Sequence, residues 1–181
     1  MSGTYPKWCY FPTRTAPPEW VAPFVEAFVS VRSEIDTEVV SGLTSDDVLA
    51  ALREPLEALG YEVERGKRAA EKIRRPVLFG EQGAPRLTYE VDAVHDELGV
   101  VVEIEAGRGA RGNAVYRDLI RASLIVGAHY LVVGVMVSYR HQSGGREVEV
   151  PSYDDTLTQL DAIYASGRLQ LPFDGVLLVG Y

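Results

Sequence analysis

Four acids crowd one short stretch of this chain. Glu90, Asp92, Glu103 and Glu105 lie in YEVDAVHDELGVVVEIEAGRG, on either side of the turn-prone run 96–99. Read as a hairpin with a two- or four-residue loop, the segment sets Asp92 opposite Glu103 and Glu90 opposite Glu105. The same register pairs Val91 with Ile104 and Ala93 with Val102. Because strand side chains alternate, those residues line an apolar face while the four carboxylates converge on the other. Two such charges about 4 Å apart repel by roughly 4 kcal/mol at an effective dielectric of about 20. A divalent cation with oxygen preference is the simplest compensation, which points to Mg²⁺, with Mn²⁺ as substitute. Register decides the matter: a hairpin slipped by one residue, or one whose acids splay into water, never brings them together.

Cations follow the acids. The loop GRGARGN carries Arg108 and Arg111 among three glycines, which permit close backbone approach to a phosphate. Arg117 and Arg121 stand four apart on one helical face, placed either to hold a phosphate or to pair with acids such as Asp118 and Glu105. Upstream, RGKRAAEKIRR sets six basic residues against Glu71 alone; such runs are as often solvated faces as binding surfaces. The net charge of -8 argues against a nonspecific nucleic-acid coat, since phosphate affinity comes from Lys and Arg. His95, His129 and His141 lack metal-ligand spacing, Cys9 has no evident base, and Ser123 lacks a nucleophile-elbow motif, so each reads as structural. Glu54 reads as a surface acid.

These residues need elements to position them. An amphipathic pattern over 23–32 predicts a first helix, after a Pro-rich entry expected to be an extended arm. Ser45 is suited to cap a second helix, whose stripe is Val48, Leu49, Leu52, Leu56 and Leu59, kinked at Pro55 and closed by Gly60. Short β-type segments follow at 61–64, 76–79, 87–95 and 100–105. Asn113 is expected to cap a helix with the stripe Val115, Tyr116, Leu119, Ile120 and Leu124, ending at Gly127. The apolar run 130–139 suits a strand buried on both faces. A helix near 156–165 and a strand near 176–179 complete an α/β sandwich.

With its 181 residues at 46% hydrophobic composition, the chain is expected to form one domain. Residues 1–44 supply the arm and first helix, 45–139 the core, and 140–181 a C-terminal helix and strand. One cysteine, no membrane-length apolar run and no secretory pattern lead to the expectation of a cytoplasmic protein without a membrane partner.

Asp92, ten intervening residues and then Glu103-Ile104-Glu105, between two helices, resembles the PD-(D/E)XK motif in the ExE form of BamHI/BglII-type restriction enzymes. The resemblance implies a restriction endonuclease-like αβββαβ core, a mixed sheet flanked by helices, with the N-terminal arm and helix as additions. It implies Asp92 and Glu103 as ligands of Mg²⁺, the Ile104 carbonyl as a third, and Glu90 as a weaker extra acid. Glu105 stands where the family usually has lysine. There it is expected to bind a second metal or take a proton from the attacking water. The function implied is hydrolysis of DNA phosphodiesters, in restriction or phage defence, with RNA as the other admissible substrate and a homodimer or protein partner for assembly. The acidic body and absent lysine support an alternative, a catalytically inactive nuclease-fold module that binds nucleic acid or a protein partner.

Overall fold

The protein was analysed as a computed structural model, which describes residues 4–107 and 113–181. Strand β1 (Lys7–Phe11) is followed by helices α1 (Val21–Ser30), α2 (Arg32–Ile35) and α3 (Ser45–Ala58). Next come β2 (Glu62–Val63), β3 (Ile73–Phe79), β4 (Pro85–Val91), β5 (Ala93–His95) and β6 (Val100–Glu105). Helix α4 (Ala114–Ser123), strands β7 (Tyr130–Val135), β8 (Tyr139–Ser143) and β9 (Arg146–Val150), helix α5 (Ser152–Ser166) and β10 (Gly175–Gly180) finish the chain.

The central sheet runs β1-β10-β7-β6-β5-β2. β6, β7 and β10 are parallel neighbours, while β1, β5 and β2 join antiparallel. Parallel strands covered on both faces read as continuous apolar runs, and VLLV of β10 and LVV of β7 are wholly buried for that reason. One face carries α1, α2 and α3, through Phe24, Phe28, Ile35, Leu52 and Leu56. The other carries α4 and α5, through Val115, Leu119, Leu160 and Ile163. This is a mixed sheet flanked by helices, as the element order implied.

Several local expectations are corrected. The N-terminal entry holds a strand ahead of its Pro-rich stretch: β1, ending at Phe11 just before Pro12, hydrogen-bonds along β10 at the sheet edge and buries Tyr10 and Phe11. α3 is capped by Thr44, whose hydroxyl accepts the Asp47 N–H while Asp47 answers on the Thr44 N–H, so Ser45 is the first helical residue instead. That helix runs as one element across Pro55. Asn113 does precede α4, but in the left-handed region at φ 58° and without a side-chain capping bond, and the helix stops at Ser123, short of Gly127. The run 130–139 divides, β7 ending at Val135 and Tyr139 opening a separate β8–β9 hairpin.

Candidate active site

The β5–β6 hairpin has the expected register: Ala93 pairs with Val102, Val94 with Val101 and His95 with Val100. Gly99 closes it at φ 63°, where an added Cβ would lie 2.5 Å from the Gly127 carbonyl oxygen, so the turn demands glycine. The ladder stops at Ala93. The segment 87–95 is two strands, because β4 leaves the central sheet to pair with β3, setting Arg74 opposite Glu90 and Ile73 opposite Val91. Asp92 is the residue at the break.

That break relocates half of the expected cluster. Glu90 does not face Glu105; it is exposed, and its carboxylate accepts from Arg74 Nη2 at 2.8 Å. Nor does Val91 share a face with Ile104: Val91 packs with Val94, Val101 and α4, whereas Ile104 packs with Ala93 and Val102 on the α3 side. A strand that ran on uninterrupted would have kept the alternation; the bend at Asp92 resets it.

Asp92 itself turns toward β6. Its Oδ2 accepts the Ile104 backbone N–H at 2.7 Å, and its own carbonyl takes the Glu64 N–H at 2.8 Å. Glu103 and Glu105 flank that bonded peptide and share the sheet face with Val101, under α4. There α4 supplies an acid that sequence reasoning treated only as a charge partner. Asp118 is 1% exposed and stands in the buried face of the helix with Val115, Leu119 and Ala122. Its signal was the α4 stripe itself: taking Tyr116, Ile120 and Leu124 as buried hid it, since those three are exposed.

The electrostatics are those of a crowded, desolvated acid group. Burial above all, with the fields of Glu64, Asp118 and Glu105, pushes the Asp92 carboxyl up to about 7 against the opposing Ile104 N–H. Burial, Asp92 and Asp118 hold Glu103 well above the ordinary carboxylate range, although Arg121 and Arg117 pull the other way. Glu105 is raised by burial and Asp118 and lowered by Arg117. Arg117 bridges Glu105 Oε1 at 2.6 Å and Asp118 Oδ1 at 2.9 Å. Arg121 lies over the Tyr89 ring, 5.2 Å from its centroid, and donates to the Glu90 carbonyl at 3.2 Å. Both arginines therefore border the acids. Arg108 and Arg111 lie outside the described residues.

Among the described residues, no three His, Cys, Asp or Glu side chains are already grouped closely enough to enclose an ion. The donor chemistry nevertheless fits a hard cation. Asp92, half-buried, and the buried Glu103 and Asp118 are carboxylates close enough for Asp118 to raise the other two, and oxygen donors gathered in this way suit such an ion. Four members of the basic run 65–75 are paired elsewhere: Arg65 with Glu57, Lys67 with Asp46, Arg74 with Glu90, and Arg75 with both Glu62 and Asp96.

The strand end bearing the acids is anchored from two sides. Tyr181 Oη donates to the Glu105 carbonyl at 3.1 Å, and the Ala106 N–H donates to Ser45 Oγ at 3.3 Å. Of the described helices, none is long and apolar enough to cross a membrane.

No family model matches the sequence, and no curated protein matches it. The fold does match a solved structure, that of restriction endonuclease BglII complexed with a DNA 16-mer, with a TM-score of 0.53 and 10% identity. The alignment covers 98% of this chain and 76% of that one. At that identity the likeness concerns the backbone: the chain has a restriction endonuclease-like fold.

Proposed function

We propose that the protein is a Mg²⁺-dependent endonuclease that hydrolyses DNA phosphodiester bonds, of the ExE type found in BamHI/BglII-like restriction enzymes and suited to restriction or phage defence. One observation carries the reading: within a restriction endonuclease-like fold, Asp92 sits at a strand break with its carboxylate on the peptide between Glu103 and Glu105. Those three acids are the ones that the resemblance to the motif names. The solved neighbour's complex with DNA supports DNA as the substrate class.

Asp92 and Glu103 are the residues to hold the cation. In an extended strand the N–H and C=O of one residue point to the same edge, so the Ile104 carbonyl faces the Asp92 side and suits a third ligand. When bound, Mg²⁺ polarises a phosphodiester and makes water more acidic. Glu105, raised above its ordinary value and half-buried, is suited to take a proton from the attacking water. For that, Arg117 must exchange Glu105 for a phosphate oxygen, while Asp118 keeps the guanidinium in place. Glu90, held by Arg74, is not retained as a ligand.

The test is incubation of purified protein with supercoiled plasmid and Mg²⁺ or Mn²⁺, comparing wild type with Asp92→Ala and Glu103→Ala. Nicking abolished by both changes is expected. The absence of cleavage on varied DNA and RNA, together with absent cation binding by calorimetry, overturns the reading. It would favour an inactive module that binds nucleic acid or a protein, and the Arg117 bridge across Glu105 is the observation on that side.

A further inference from the structure

The acid group has a second edge, beyond Asp92, which neither α4 nor the motif accounts for. Glu64 follows β2 directly; it is 5% exposed, and its backbone N–H is bonded to the Asp92 carbonyl at 2.8 Å. Its carbonyl receives Arg53 Nη2 at 3.2 Å, so the residue is pinned from α3 as well. Its carboxylate is held by Lys72 Nζ at 2.6 Å, with the lysine side chain 21% exposed. The Glu64 hydrogen bond above all, with the fields of Glu64, Glu90 and Asp92, raises the Lys72 ammonium above its ordinary value.

A Lys–Glu pair taken out of water costs desolvation that its attraction roughly offsets, so stability alone is a weak reason for it. Its setting is more informative. Among the described residues, Lys7 pairs with Asp154 and Lys67 with Asp46, both well exposed, whereas Lys72 is the lysine whose ammonium borders the acids. Arg117 and Arg121 border those acids from α4; Lys72 reaches Glu64 from the segment between β2 and β3. Glu64 fixes a flexible four-carbon side chain beside Asp92, and a compact ammonium held there is placed for a phosphate oxygen.

We propose that Lys72, oriented by Glu64, is a positioning residue of the active site that sets its ammonium against the phosphate bound at Asp92 and Glu103. This rests on the nuclease reading above. It assigns the positive charge on the Asp92 side of the site to a residue outside the acid motif, on the segment between β2 and β3. Glu64 is thereby the residue that orients Lys72 rather than another ligand.

The experiment compares wild type with Lys72→Met, Lys72→Arg and the double variant Glu64→Gln/Lys72→Met, with Lys67→Met as a remote control. Single-turnover nicking of plasmid and calorimetric binding of Mn²⁺ are measured at one pH, with unfolding curves to confirm that each variant folds. Lys72→Met is expected to nick at least tenfold more slowly yet to bind Mn²⁺ several-fold more tightly, because a positive charge has left the neighbourhood of the acids. Lys72→Arg is expected to recover most of the rate. The double variant, which leaves no unpaired Glu64, is expected to stay slow while its Mn²⁺ affinity returns toward wild type. A Lys72→Met rate within twofold of wild type overturns the assignment. If the wild type nicks nothing, the nuclease reading itself fails, and unchanged Mn²⁺ affinity in Lys72→Met then overturns the placement of Lys72 beside the acids.

Discussion

The Asp92 carboxylate is hydrogen-bonded to the backbone N–H of Ile104 at 2.7 Å, a side chain completing a ladder that its own strand has left. At that point β4 diverges toward β3, the chain bends, and the acid takes the place of a backbone carbonyl beside β6. The bond fixes Asp92 relative to Glu103 and Glu105 without help from the rest of β4. Several expectations follow from the charge gathered there.

Removing one of the crowded carboxylates should stabilise the cation-free protein. Asp92→Asn keeps an oxygen for the Ile104 N–H, and Glu103→Gln keeps shape, yet each relieves like-charge repulsion. Gains of roughly 1–2 kcal/mol, or about 3–6 °C in Tm, are expected in chelator. The same variants should lose the further stabilisation that Mg²⁺ or Mn²⁺ brings to wild type, as read by thermal melts with and without cation.

Stability in chelator should fall as pH rises from about 4 to about 7. The Asp92 carboxyl keeps its proton in the folded chain up to about 7, whereas the unfolded chain gives it up near the ordinary 3.8. Across that window the unfolded state binds fewer protons, so raising the pH favours unfolding, by a few kcal/mol in all. Urea unfolding at stepped pH measures it. Cation affinity should move the opposite way, rising with pH because the ligands must be ionised to bind.

Arg117 should matter to folding as well as to substrate. Arg117→Gln leaves Asp118, whose side chain is 2% exposed, without its cationic partner, while Arg117 itself is 56% exposed and partly screened. A loss of roughly 1–3 kcal/mol is expected, below the figure for a wholly buried pair. Arg117→Gln/Asp118→Asn should restore most of it in denaturant unfolding.

The hairpin register depends on its turn. Gly99→Ala places a Cβ at a positive φ and 2.5 Å from the Gly127 carbonyl oxygen, so backbone must move. We expect a cost of about 1–3 kcal/mol and weaker Mn²⁺ binding, since the turn holds β5 against β6. Gly83→Ala, at a comparable φ but in open space, should leave cation binding unchanged.

Much of this was legible in the residues. Alternation and the glycine at 99 specify the β5–β6 pairing, and the run VVVEIE marks β6 from end to end. The helices before and after it follow from apolar spacing, because one face of each must be buried. Glu105 and Arg117 stand at opposite ends of segments whose order is read directly, so their pairing was anticipated in kind.

What the residue order alone determined was therefore local: strand β6, the hairpin register over 93–102, and the helices before and after it. Tertiary structure decided where the pattern breaks. The alternation of 87–95 looks unbroken, but β3 competes for β4, and this carries Glu90 to Arg74 and Val91 to the α4 face. Residue type likewise did not show that Asp118 is buried among the acids, nor that Lys72 pairs with Glu64, because their meaning lies in what long-range packing sets beside them. Local sequence encodes periodicity; burial and electrostatic proximity belong to the assembled sheet.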